Sequence, residues 1–220
     1  MKAYIGAVMF GALAAGPAFA GPPAADVTTI HRVFDIQREG SPIGTNTLDL
    51  SRQGDITTVK VATHILVKVL FVNAYRYEHS ETASFRGNEL VSFSSTTDDN
   101  GTTHKVDAYS SAGKLVLKVD GDASEVPKDI YPAIIFSPDI GSKSLLFDPG
   151  NGKRLSAKAE DLGKEHVPVH GAQQELRHIK VSGQFDRDLW FDRDGLVKMT
   201  MLGSDHSKIS SELRLSTAER

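Results

Sequence analysis

The sequence predicts an all-β fold: a large curved antiparallel meander sheet, an open or partly closed barrel, with one short helical or irregular crossover. Three observations carry this. Alternation with a period of two recurs along the chain, tight turns rich in Gly, Asn and Asp separate the alternating runs, and the longest run is dense in β-branched residues. The clearest stretch is Glu89 to Gly121, three strand-like runs joined by Asp98-Asp99-Asn100-Gly101 and by Ser111-Ala112-Gly113. Asn-Gly between alternating runs is a strong hairpin signal, because both central residues of a type I′ turn need positive φ.

The other elements follow in order. Thr29 to Gln37 alternates, with Ile30, Arg32, Phe34 and Ile36 on one face, and reads as a half-buried strand. Ile43 to Ser51 is a less regular strand between the turns Arg38–Pro42 and Gln53–Asp55. Ile56 to Val72 is the longest run. Val59, Val61, Thr63, Ile65, Val67, Val69 and Phe71 share a wholly core-like face; Lys60, Ala62, His64, Leu66, Lys68 and Leu70 share the other. A run of this length is expected to bend or to break into two strands. Tyr75 to Phe85 places Tyr75, Tyr77, His79 and Glu81 on one side, and Leu90 to Ser95 follows.

Beyond the central meander the pattern changes. Asp122 to Asp129 is polar and reads as a loop. Ile130 to Ser144, with Pro132 and Pro138, does not alternate and reads as a crossover covering one end of the sheet. Leu145–Asp148 and Arg154–Glu160 make a hairpin about Pro149–Gly152, and Lys164 to Val169 is a short edge strand because Pro168 lacks a donor. Gln173–Ser182, Leu189–Asp192, Leu196–Leu202 and Lys208–Leu215 complete a count of about ten to thirteen strands. Ser216 to Arg220 reads as a polar tail.

Residues 1–20 read as an export signal: Lys2, an apolar core from Tyr4 to Ala15, then Ala18-Phe19-Ala20 as the cleavage site. The core is shorter than the roughly 20 apolar residues of a spanning helix. Cleavage after Ala20 leaves Gly21–Thr28 as a flexible leader, residues 29–215 as one domain, and a periplasmic protein that does not span the membrane. The absence of cysteine excludes disulfides, a thiol nucleophile and an acylated lipoprotein N-terminus. Formal charge is −3, and −4 once Lys2 is removed. Lys and Arg are interspersed with acids, so no basic face for nucleic acid is expected.

Phe85–Val91, Tyr109–Val116 and Phe191–Val197 share a form: an aromatic, a tight polar turn, then Leu-Val. The recurrence reads as hairpin chemistry, an aromatic packing across the turn on the next strand. With the Thr97–Gly101 hairpin and the Leu-Trp-Phe-Asp-x-x-Gly-Leu-Val stretch at Leu189–Val197, it carries a resemblance. From Thr29 to Leu215 the chain resembles a group of exported bacterial β-rich proteins of unknown function. More loosely, it is similar to periplasmic lipoprotein carriers of the LolA/LolB type, which cradle acyl chains in an open barrel. The resemblance implies no site residue, and the first group implies no activity.

Eight histidines raise the question of a metal. His166 and His170 have helical ligand spacing, but Pro168 lies between them; on a strand they would stand about 13 Å apart. No Gly-x-Ser-x-Gly elbow is present, and Gly203-Ser204-Asp205-His206 reads as a loop. Asp186, Asp188, Asp192 and Asp194 surround the single tryptophan and read as solvated hairpin charges that oppose edge pairing. No glycine-rich phosphate loop is present, and no cofactor or metal is expected. The favoured reading is a binding or carrier protein with an apolar concavity for a lipid or other hydrophobic molecule. It follows from the second, half-apolar face of the long strand, which must be covered. Leu66, Leu70, Tyr75, Tyr77 and Trp190 are the candidate ligand-binding residues. An envelope assembly factor acting through protein contacts is the alternative, and a hydrolase ranks third.

Overall fold

The computed structural model describes residues 27–69, 72–111 and 113–219. The export signal and most of the leader lie outside them. The strands are β1 (Val27–Arg38), β2 (Ser41–Gln53), β3 (Ile56–Val69), β4 (Val72–Arg86), β5 (Glu89–Asp99), β6 (Thr102–Ser111), β7 (Lys114–Val119) and β8 (Asp122–Val126). After the chain crosses over come β9 (Tyr131–Pro132), β10 (Leu145–Phe147), β11 (Arg154–Val169), β12 (Ala172–Gly183), β13 (Arg187–Phe191), β14 (Leu196–Leu202) and β15 (Lys208–Glu219). One 3₁₀ turn, Pro138–Ser142, lies between β9 and β10.

All fifteen strands belong to one sheet, ordered β8 to β1 and then β15 to β9. Two runs of sequential hairpins are thus joined along β1 and β15, which pair antiparallel from Thr29↔Glu219 to Arg38↔Ile209. Only the two-residue β9–β10 pairing is parallel. The turns are those the sequence asks for. Asn100 and Gly101 have φ of 51° and 95°, and Glu39-Gly40, Asp120-Gly121 and His170-Gly171 repeat the pair of positive values. Asp98 Oδ1 accepts the Gly101 N–H at 2.7 Å and closes the first of these turns.

The sheet curls but does not close. Its ends meet through side chains: Arg154 of β11 donates to Ser124 Oγ at 3.1 Å and to the Glu125 carbonyl at 3.3 Å on β8. Gly152 presses on the same end; a Cβ there would stand 2.3 Å from Val119 Cγ2.

Inside the curl the crossover is a plug. Ile130, Ile134, Ile140, Leu146 and Phe147 are all buried. They pack into one cluster with Phe34, Val59, Phe85, Phe93, Val106, Leu189 and Phe191 from the inner faces of the strands. Phe147 meets Phe93 edge-on with ring centroids 5.0 Å apart, and Tyr131 stacks on Phe85 at 5.0 Å. Ser95 Oγ donates to the Pro149 carbonyl at 2.6 Å and ties the end of the crossover to β5.

The long run is a single strand through Val69, its bend taken up by a bulge at Val67/Lys68 rather than a break. Four readings are corrected. Asp122–Val126 is a strand, not a loop; only Val126 of its five residues is buried, so no alternation marked it. Lys164–Val169 is the far half of β11, which passes Asp161–Gly163 as a bulge, with φ 81° at Gly163. Ser216–Glu219 is not a tail, since its backbone continues β15 against Arg32–Thr29. The acids around Trp190 do not guard an edge, because β13 pairs with β12 on one side and β14 on the other.

Replacing Phe147, which is fully buried, with Ala should cost about 3–5 kcal/mol in urea unfolding, whereas Leu202→Ala, at 63% exposure, should cost under about 0.5 kcal/mol. Equal effects would contradict the plug.

Candidate functional site

Alternation decides which side chains face inward along each wall. On β3, Val59 is sealed in the core, while Val61, Thr63, Ile65 and Val67 on the same face line open space. On β4, Phe85 and Ala83 are packed; Glu81, His79, Tyr77 and Tyr75 then run along the wall of the same space. The opposite wall comes from Phe185, Arg187, Met199, Met201 and Ile209. Ala133–Ile135 and the turn Asp148–Asn151 bring the crossover to its lining. The strands therefore outrun the plug and enclose a cavity of about 960 Å³. That is the upper end of the roughly 300–1,000 Å³ of small-molecule sites.

One side of this cavity is polar. His79 and Thr97 are buried; His79 Nδ1 lies 2.8 Å from Thr97 Oγ1, and the His79 ring stacks on Tyr77 with centroids 6.0 Å apart. His79 Nε2 stands 3.3 Å from Glu81 Oε2 but off hydrogen-bonding geometry, leaving that oxygen buried without a hydrogen bond. Burial raises the Glu81 carboxyl above the usual carboxylate range; the nearby imidazole opposes this only in part, and the Asp148 charge reinforces it. Burial and Asp99 push the Tyr75 hydroxyl up to about 12, and burial raises Tyr77 further, so both remain neutral phenols. The turn of the crossover reaches Tyr77 closely: a Cβ on Gly150 would stand 3.2 Å from its Oη.

Arg187 faces this side from β13. Its guanidinium lies 4.2 Å above the Phe185 ring, Nη1 donates to Met201 Sδ, and Nε is shielded from solvent with no partner. At the rim, Arg38 pairs with Asp205 and donates Nε–H to Ser207 Oγ at 2.9 Å.

Thr97, His79 and Glu81 stand in the order of a hydroxyl–imidazole–carboxyl relay. Thr97 lies behind His79, however, and does not line the cavity. On this wall a bound molecule meets the imidazole and the carboxyl, not the Thr97 hydroxyl.

Of the candidate ligand-binding residues, the structure brings Tyr75 and Tyr77 together on the cavity wall. Leu66 points to the outer face of β3, at 39% exposure. Leu70 lies outside the described residues. Trp190 points away from the cavity, because Arg187, Leu189 and Phe191 take the inward positions of its strand. It joins a second cluster with Val167, Val169, Leu176 and Val197. There it stacks on His178 at 4.7 Å and donates Nε1–H to Glu165 at 2.6 Å. Asp188, on the same outer face, lies 2.8 Å from His178 Nε2. Asp192 caps the Asp194–Gly195 turn and pairs with the buried Arg32 at 3.3 Å. His170 sits in a turn, its backbone N–H on Glu212 and its Nε2 3.0 Å from the Leu213 carbonyl, while His166 lies within β11.

Sequence reasoning placed His79 and Glu81 on the face of the two tyrosines but not in the site. It missed Arg187, whose only signal was parity with Leu189, and the methionines of β14, which are opposite in parity to the inward Leu196 because a bulge intervenes.

The model of a domain of unknown function, DUF6134, matches residues 34–214, more than half of the chain. The chain belongs to the DUF6134 family. No curated protein matches it. In this DUF6134 chain the matched span begins at Phe34, the first cavity residue, and takes in every other one.

Glu81 is protonated more readily folded than unfolded, where its pKa is about 4.3. Between those two values the folded state holds the extra proton, so stability falls as pH rises. Glu81→Gln removes this loss. Its unfolding free energy, measured in urea from pH 4 to pH 8, should gain on wild type as pH rises, by about 1.4 kcal/mol for each unit of raised pKa. A constant difference across that range would contradict the assignment.

Proposed function

We propose that the protein is an exported periplasmic binding or carrier protein that holds a hydrophobic ligand in the cavity between β1–β4 and β13–β15. The observation that carries this reading is the cavity's construction. An unbroken face of β-branched residues on β3 passes from a filled core at Val59 to empty space at Val61, Ile65 and Val67. Apolar surface on that scale is stabilised by covering it, and a ligand covers it. The signal-like pattern of residues 1–20 supports export, with cleavage expected after Ala20. LolA/LolB-type carriers likewise cradle acyl chains in an open barrel, and the analogy is one of fold alone.

The second reading is an envelope assembly factor that accepts a strand from a partner. The far half of β11 favours it, since Lys158–Val169 pairs only with β12 among the described residues. That edge is poorly suited to the task. It is bulged at Gly163, lacks a donor at Pro168, and carries Lys158, Glu160, Lys164 and Glu165. The hydrolase reading ranks below both, because none of the Ser and Thr hydroxyls lining the cavity, Thr63, Ser204, Ser207 and Ser211, is hydrogen-bonded to a histidine among the described residues.

Native mass spectrometry of protein recovered from the periplasm should show a mature chain beginning at Gly21 with a bound apolar molecule. Ile65→Trp, which fills the cavity, should lower occupancy several-fold while leaving the melting temperature within a few degrees. A ligand-free mass from both proteins would count against the carrier reading, and co-purification of a partner polypeptide in its place would favour the assembly factor.

A further inference from the structure

Two arginines reach into the curl, Arg32 buried and Arg187 half-buried, and they differ in their partners. Arg32 has a carboxylate partner: Nη1 donates to the Leu196 carbonyl at 2.5 Å and Nη2 lies 3.3 Å from Asp192 Oδ1, although its Nε is buried without a hydrogen bond. Arg187 has no carboxylate within 4.0 Å among the described residues. Its one hydrogen-bond acceptor is the thioether of Met201, a weak one, and its Nε has none. Burial draws its pKa down only to about 10, so the guanidinium stays charged at neutral pH. A shielded, unpaired cation is costly. Here it faces a cavity large enough for a ligand rather than a packed core.

We propose that the cavity takes an anionic amphiphile with a single carboxylate head, a free fatty acid, whose head pairs with Arg187 and whose chain lies along Val61, Ile65 and Met199. This rests on the carrier reading and names its ligand class. The guanidinium edge left open by the thioether suits two parallel N–H···O bonds to a carboxylate. The neighbouring charges set the valence of the head. Glu81 and Asp148 line the same cavity, and Asp148 Oδ1 already accepts the Gly150 N–H at 2.8 Å. Beside one cation and those acids, a second negative charge on the head would be left without a partner. The Tyr75 and Tyr77 hydroxyls line the same wall and remain donors. The apolar remainder accommodates a chain that makes no polar demand.

The test uses delipidated protein loaded with the fluorescent apolar dye N-phenyl-1-naphthylamine at pH 8, displaced in turn by laurate, 1-dodecanol and dodecyl phosphate. Laurate should displace the dye at a concentration roughly tenfold below that of dodecanol, the fold-change expected of a charge-assisted hydrogen bond. Dodecyl phosphate should be weaker than laurate. Arg187→Met should bring laurate level with dodecanol, and Arg187→Lys should retain part of the preference. Equal displacement by laurate and dodecanol from wild type would overturn the anionic head while leaving the cavity's role as an apolar site intact. Stronger displacement by dodecyl phosphate would overturn the carboxylate assignment. No displacement by any of the three, or no dye uptake, would overturn this proposal and the carrier reading together. Should Arg187→Met fail to fold, the wild-type ratio of laurate to dodecanol decides.

Discussion

The contact between the crossover and the inner face of the sheet governs the rest of the structure. Leu146 and Phe147 are wholly removed from solvent against Phe93 and its neighbours, and they fill one end of a curl whose strands continue past them. Strands such as β3, β4, β6 and β11, 10 to 16 residues long, are far taller than one layer of plug can fill. Packed and hollow regions then follow from alternation alone, because each inward face keeps its identity after the plug ends. Burial of the crossover's large apolar residues, at about 1.5–3 kcal/mol each, supplies a core strong enough to hold the remainder open.

The polar wall follows from the same geometry. His79 and Glu81 share the face of Phe85 and Ala83, so the strand that packs the core also carries ionisable groups into a poorly solvated space. Burial pushes the Glu81 carboxyl above the usual carboxylate range. Arg187 cannot shed its charge near neutral pH and is left with a sulfur and an aromatic ring for company. Buried polar groups without partners are uncommon in folded proteins and tend to mark places where something else binds. Arg32 shows that this fold can supply an interior arginine with a carbonyl and a carboxylate, though its Nε too goes without a partner.

Much of the fold was legible because its signals are local. The Asn100-Gly101 turn, the period-two runs and the parity of Tyr75 through Glu81 need only neighbouring residues. The failures have physical causes. Asp122–Val126 pairs on one side and is exposed, so burial left no alternation to read. Ser216–Glu219 is held in a strand by backbone pairing to the distant β1, a contact that leaves no mark on side-chain pattern. The site was half legible for the same reason. Tyr75 and Tyr77 were identified from their own strand. Arg187 becomes a cavity residue only because β13 is placed beside β12 and β14 in a sheet whose two halves are joined through β1 and β15. Leu66 was chosen for its apolar neighbours, yet the wholly apolar face of β3 is the one that turns inward, and Leu66 lies on the other.

The account stands on open volume between the inner face of β3 and the methionines of β14. Crystals of the delipidated protein pressurised with xenon test this directly, since xenon enters dry apolar cavities and leaves filled cores untouched. The account predicts xenon density beside Val61, Ile65 and Met199. An interior in which those side chains touch one another, with no xenon between them, would contradict it.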